Sequence, residues 1–155
     1  MTINGGEFSG KTVNDSFAIY QPQKGDLTIN DGHFEGASAV FVKSGNIVIN
    51  GGTFNAIGAA KAFVHNNNGA DPTGDAIIIE SCDYPGGYPT VRINGGEFYS
   101  ANAKPVGVYA QSGHEAAKLT KFIYGGKFNK ELDAELIADG YQQVLEDGMY
   151  VVKQA

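Results

Sequence analysis

The chain has 155 residues, including 22 glycines and a single cysteine, and its formal net charge is −6. This acidic balance argues against a nucleic-acid partner, which would need a basic surface, and one cysteine cannot form an internal disulfide bond. The sequence has no signal peptide and no apolar run long enough to cross a bilayer, so membrane insertion is not predicted.

A six-residue unit with the consensus IxGGxF occurs five times and determines the predicted fold. The copies span residues 3–8, 29–34, 49–54, 93–98 and 123–128. Their starting positions are 26, 20, 44 and 30 residues apart. Repeats at such periods indicate structural units that stack on one another.

Each copy predicts two short strands joined by a glycine corner. Aliphatic and polar residues alternate before the corner, which is the period of a strand with one buried face. The second corner position is Gly in every copy, which indicates either a positive φ or a backbone approached too closely for a Cβ. A second strand is predicted at residues 18–20, 39–41, 62–64 and 107–109.

The repeated side chains predict two regular stacks. We expect the Ile and Phe side chains of successive copies to stack internally. We expect an amide ladder from the Asn of the first four copies, which Tyr124 ends in the fifth. These residues are Asn4, Asn30, Asn50 and Asn94.

The pattern breaks between Val64 and Val91. Residues 66–75 have the composition of a solvated loop; its acids and amides are also calcium ligands, but their spacing matches no calcium motif. Residues 76–80 are predicted to form an irregular coil or an extra strand, and Cys82 a small buried apolar residue.

Tyrosines are the candidate contact residues. Tyr84 and Tyr88 lie in a Pro-Gly-Gly turn, where they can stack on sugars or anchor a protein partner; local Tyr–Pro packing is the simpler alternative. Tyr99 and Tyr109 belong to the coil predicted at residues 91–110 and extend this set. No catalytic residue, cofactor or metal site is predicted.

The C-terminal region changes period after Phe128. Residues 130–138 are predicted to form a helix that Asn129 caps. A hairpin is predicted to follow across Asp147 and Gly148, because Asp-Gly is a strong hairpin signal.

These elements predict an all-β fold, a right-handed parallel β-helix solenoid of about five to six coils. Residues 1–128 would form the coils, with an irregular insertion at about 65–90, and residues 129–155 a capping helix and hairpin. The repeat unit with its following strand resembles right-handed β-helix repeat domains of gut Firmicutes surface proteins and of related phage structural proteins. Residues 137–141 and 147–152 are similar to the C-terminal end of such domains.

The resemblance implies a non-enzymatic structural or interaction module on a bacterial surface or phage virion, such as a fibre, decoration or adhesin segment. Extracellular, cell-surface or virion localisation follows from it. Because Met1 lies inside the first repeat with nothing to cover its edge, we expect self-association, for example as a homotrimer, or a longer parent chain.

The alternative function is a carbohydrate-binding or carbohydrate-active domain acting on polysaccharide. Glycoside hydrolases need a pair of closely placed carboxylates, and β-helical lyases use a basic residue with calcium-binding acids. Here the acids are scattered over turns, and Arg92 occupies an outward, variable position of the repeat. The candidate partners are therefore proteins and glycans, and an enzyme is not predicted.

Overall fold

The computed structural model describes residues 1–10 and 12–155, and 44% of the chain is strand. The first six strands are β1 (Thr2–Ser9), β2 (Ile19–Gln21), β3 (Asp26–Gly36), β4 (Val40–Val42), β5 (Asn46–Ile49) and β6 (Thr53–Ala56). The others are β7 (Ile77–Ser81), β8 (Thr90–Ile93), β9 (Glu97–Ser100), β10 (Val106–Ala110), β11 (Lys127–Phe128), β12 (Tyr141–Glu146) and β13 (Met149–Gln154). Two 3₁₀ helices, Glu115–Ala117 and Ala134–Leu136, have three residues each. Across the described ranges, no helix has the length and apolar character that crossing a membrane requires.

The strands form two sheets. Nine strands pair in the order β12-β13-β11-β9-β6-β3-β5-β8, with β1 on the free side of β3. The second sheet has four parallel strands in the order β10-β7-β4-β2. The apolar core lies between the two sheets, where Ile and Phe of the first face Val and Ile of the second.

The right-handed β-helix solenoid prediction is wrong, because the nine strands curl into a half-barrel beside a separate parallel sheet. The long strand β3 shows the physical reason. It runs through its glycine corner without a break, and pairs with β5 before the corner and with β6 after it. The corner therefore bends one continuous sheet instead of ending a strand. Solenoid coils with a terminal helix cap do not describe this arrangement.

The predicted side-chain stacks are confirmed. Phe8, Phe34, Phe54, Phe98 and Phe128 stack in parallel, with ring centroids 4.8–5.0 Å apart. The exposed asparagines form the predicted ladder, in which each Nδ2 donates to the preceding Oδ1 at 2.9 Å. The second corner glycines have φ between 101° and 130°, as expected for positions where an L side chain would be strained.

The strand predicted at residues 62–64 does not form. Its place in the four-stranded sheet is taken by β7, which pairs with β4 and β10. Every residue of β7 is buried, whereas the Val64 side chain is 63% exposed. The extra strand is thus a central strand of the sheet. The isoleucine run of β7 is apolar on both faces, and such a strand is stable where both of its faces are buried.

The C-terminal helix prediction is also wrong, since residues 130–138 contain only the 3₁₀ turn Ala134–Leu136. The Asn129 side chain does not cap a helix; it accepts from the Ser100 N–H and donates to the Ser100 carbonyl. Gln143 makes the same pair of bonds to Leu132, so tertiary partners replace helical hydrogen bonds. The hairpin of β12 and β13 is confirmed, with Asp147 at φ 51° and Gly148 at φ 82°.

Candidate functional site

The outer face of the four-stranded sheet carries buried charged side chains among apolar ones. Side chains alternate along a strand, so when Val40, Val42, Ile77 and Ile79 face the core, their neighbours point to the opposite face. Those neighbours include Phe41, Lys43, Ile78, Glu80 and Cys82, and all are at most 1% exposed. The loop that joins β6 to β7, residues 57–76, covers them; we call it the covering loop.

Lys43 is the centre of this buried layer. Its ammonium is fully buried and donates to the carbonyl of Gly69 at 2.6 Å and to the carbonyl of Asn66. It also lies 3.9 Å from Glu80 Oε1 and 4.6 Å from the centroid of the Tyr84 ring. Two carbonyls, one carboxylate and one aromatic face thus solvate the charge in place of water.

The contacts of Lys43 show a different role for the oxygen atoms of residues 66–75. Carbonyls of the segment that suggested calcium ligands instead face the Lys43 ammonium. The prediction of a solvated loop holds for exposed Asn67, Asn68 and Asp71, but residues 72–75 are buried.

His65, Glu80 and Cys82 form the second half of the cluster. His65 lies on the covering loop, and its Nδ1 is hydrogen-bonded to Glu80 Oε2. Its Nε2 is 2.7 Å from Asn67 Oδ1. Cys82 Sγ lies close enough that ligand atoms of all three residues are within 4.8 Å of one another. Burial, followed by the Glu80 carboxylate, raises the pKa of the Cys82 thiol to about 11, so the thiol is protonated near neutral pH.

Two tyrosines border this cluster. The Tyr20 hydroxyl is buried and has no hydrogen-bond partner among the described residues. Burial, then the neighbouring Tyr84 hydroxyl, raises the pKa of Tyr20 well above its ordinary range. The Tyr20 ring packs edge-on against Phe41, with centroids 5.9 Å apart. Tyr20 on the edge strand β2 thus packs against Phe41 on the neighbouring strand β4.

Asp75 forms a separate buried node at the end of the covering loop. Its carboxylate accepts from Thr73 Oγ1 at 2.6 Å, from the Tyr109 hydroxyl at 2.5 Å and from the Lys104 N–H at 2.9 Å. Tyr109 also stacks on Phe63, with centroids 4.6 Å apart. These contacts anchor the covering loop to β10, so the Tyr109 side chain has a structural role.

Two hydrogen bonds hold the backbone of the turn at residues 83–89. Ser44 Oγ donates to the Gly87 carbonyl at 2.8 Å, and the Gly87 N–H donates to the Tyr84 carbonyl at 2.9 Å. Above this base, Tyr88 is 52% exposed, and its hydroxyl lies 2.8 Å from His114 Nδ1. The turn therefore presents one aromatic side chain in a defined orientation.

The four candidate tyrosines do not form a single platform. Tyr84 and Tyr88 share the turn, but Tyr84 faces Lys43 while Tyr88 faces solvent. Tyr109 lies under the covering loop, and Tyr99 is a half-buried residue of β9 in the other sheet. Tyr88 is thus the candidate with the most accessible ring.

A shallow, open groove of about 470 Å³ follows the glycine corners of the nine-stranded sheet. Its polar side chains are those of Asp31, Thr53, Glu97 and Lys127, and its floor is glycine backbone. The second corner glycines lack side chains that would fill it, so the groove follows directly from the repeat.

The Lys43–Glu80–His65 network was not predicted from the sequence. One signal was available: Glu80 closes a run of three isoleucines, and a carboxylate on a buried strand requires a cationic partner. The buried state predicted for Cys82 is confirmed, at 1% exposure.

Comparison of the chain with protein-family models, with curated proteins and with solved structures found no match.

Proposed function

We propose that the protein is a non-enzymatic structural and interaction module that contacts a protein or glycan partner through the turn at residues 83–89. Display on a bacterial surface or phage virion, as the sequence resemblance implies, is part of this proposal. The observation that carries it is the exposed Tyr88 ring on a turn whose backbone is held by Ser44.

A fixed, exposed tyrosine suits recognition for two physical reasons. Its ring buries a large area for the loss of only two side-chain torsions, and its hydroxyl adds a directional hydrogen bond. Because the turn is already ordered, binding does not have to order it, and that lowers the entropic cost of association. Tyr88 meets both conditions, since His114 orients its hydroxyl.

Carbohydrate binding is the second candidate, and the groove at the glycine corners favours it. An open groove lined by the carboxylates of Asp31 and Glu97 and the ammonium of Lys127 offers hydrogen-bonding groups to an extended sugar chain. The corners repeat along the stacking direction, so the groove would suit a polymer better than a single sugar.

Both candidates can be tested with one array experiment. The full chain is applied to arrays of bacterial and host glycans and of purified extracellular proteins, beside Tyr88→Ala, Glu97→Gln and Leu145→Ala variants. Leu145 is the matched control, because it is 60% exposed on the C-terminal hairpin.

The proposal predicts that Tyr88→Ala loses at least tenfold in retention and that Leu145→Ala keeps it. A selective loss in Glu97→Gln would favour the groove and carbohydrate instead. Turnover of an arrayed polysaccharide, or full retention by both Tyr88→Ala and Glu97→Gln, would contradict the proposal.

A further inference from the structure

We propose that His65 Nδ1, a carboxylate oxygen of Glu80 and the sulfur of Cys82 form a zinc-binding site beneath the covering loop. Atoms from these three side chains lie within 4.8 Å of one another. Imidazole nitrogen, carboxylate oxygen and thiolate sulfur are the ligand types that zinc takes in tetrahedral sites. Three protein ligands leave the fourth position to water.

The fold brings the ligands together from two places. Glu80 on β7 and Cys82 just beyond it are two residues apart, so their side chains point to the same face of the sheet. His65 reaches them from the covering loop. Glu80 and Cys82 are 1% exposed, whereas the His65 side chain is 18% exposed, so an ion and its water can approach from the His65 side.

Both polar ligands have the outer partners that metal sites require. Ligation through Nδ1 needs the tautomer with its proton on Nε2, so the Nδ1 proton that bonds to Glu80 Oε2 has to pass to solvent as the ion enters. Asn67 Oδ1, 2.7 Å from His65 Nε2, accepts the Nε2 proton and holds that tautomer. Lys43 lies on the other oxygen of Glu80, at 3.9 Å from Oε1. Partners of this kind fix the orientation of a ligand before the ion arrives.

With zinc bound, the net charge of the cluster is the single positive charge of Lys43. Zinc replaces the thiol proton of Cys82, which passes to solvent, and the Glu80 carboxylate with the resulting thiolate neutralises the two positive charges of the ion. Lys43 need not move, because the Asn66 and Gly69 carbonyls continue to hold its ammonium.

Binding requires a small local adjustment. Ligand atoms in a tetrahedral zinc site are about 3.4 Å apart, which follows from bond lengths of about 2.0–2.3 Å. The hydrogen bond between His65 and Glu80 therefore has to open as the ion enters between them. His65 lies on a loop outside the strands, so its movement breaks no sheet pairing.

Cobalt(II) titration of the full chain, with a reductant that contains no thiol, tests the proposal. We expect one ion per chain and a near-ultraviolet absorption from cobalt–sulfur charge transfer, which zinc then removes by competition. Cys82→Ser should abolish that absorption, and His65→Gln should weaken cobalt binding at least tenfold. His33→Gln is the matched control and should leave both unchanged, because His33 is 47% exposed on the other sheet.

Thermal unfolding of each variant establishes that it is folded. Absence of the sulfur absorption in the folded wild type would overturn the proposal whatever the variants do. Cobalt binding of undiminished affinity in folded Cys82→Ser would overturn it as well, since the ion would then sit elsewhere.

Discussion

Replacing Lys43 with Met tests how the outer layer of the four-stranded sheet is stabilised. Met keeps an unbranched, apolar side chain of similar reach but removes the charge and its hydrogen-bond donors. Glu80, at 1% exposure, would keep its hydrogen bond to His65 but lose its cationic partner, and the Asn66 and Gly69 carbonyls would lose their donor. Removing one partner of a buried ion pair costs about 3–5 kcal/mol, because the other charge stays buried.

We therefore expect the free energy of unfolding to fall by about 3–5 kcal/mol in Lys43→Met, measured by urea denaturation. The matched control is Lys104→Met, whose partner Asp133 is 3.2 Å away with both side chains more than half exposed. That surface pair should contribute about 1 kcal/mol or less.

A double-mutant cycle separates charge pairing from packing. In Lys43→Met combined with Glu80→Gln, no unpaired charge is left, so the combined loss should be smaller than the sum of the single losses by about 1–3 kcal/mol. A loss in Lys43→Met no larger than in Lys104→Met would contradict a buried ion pair, since the ammonium would then be solvated outside the fold.

Three further predictions concern other parts of the chain. The pKa of the Cys82 thiol is raised in the folded state, from an ordinary 9.0 to about 11. The thiol of the unfolded chain therefore loses its proton first, so the free energy of unfolding is unaffected below pH 9 and falls as pH rises from 9 to 11. Cys82→Ala should flatten this decline, which is about 2–3 kcal/mol, and an unchanged slope would refute burial of the thiol. Gly96→Ala should lose about 1–3 kcal/mol, because φ is 104° and the new Cβ would lie 3.2 Å from the Gly52 carbonyl; Gly5→Ala, with open space around it, should lose much less. Removal of residues 130–155 should expose the edge of β11 and raise the mass in light scattering, and a soluble monomer would contradict this.

Local repetition made part of the fold predictable. The Phe98 stack and the Asn50–Asn94 ladder bond follow from equivalent residues in successive copies, and in-register parallel pairing brings equivalents together. The hairpin also followed from a local signal, the Asp147–Gly148 turn.

The remaining features depend on contacts between distant residues. Leu132 and Leu136 have helical spacing, yet they are buried in a largely extended segment because Gln143 and Ile123 satisfy its backbone. The curl of the nine-stranded sheet depends on β3 passing through its corner unbroken, which the unit itself does not reveal.

Most of the candidate site depends on such distant contacts as well: the sequence indicates that Glu80 needs a cationic partner, but not which residue supplies it. Lys43, His65 and Glu80 come from a strand end, a loop and another strand, and only the covering loop brings them together. No short-range spacing links them, and so no metal or ion-pair motif can be read from the sequence. Cys82 was placed correctly as a buried residue, but its neighbours were not.

The buried Lys43 ammonium contacts the covering loop through the Asn66 and Gly69 carbonyls and the turn at residues 83–89 through the Tyr84 ring, and we infer that it orders both. Amide hydrogen exchange by NMR, compared between the wild type and Lys43→Met, measures this ordering. We expect protection to be lost at Gly87 and Lys61, whose N–H groups bond within the turn and the covering loop, while Glu97 in the nine-stranded sheet stays protected relative to global unfolding. Unchanged protection at Gly87 and Lys61 in the variant would contradict it.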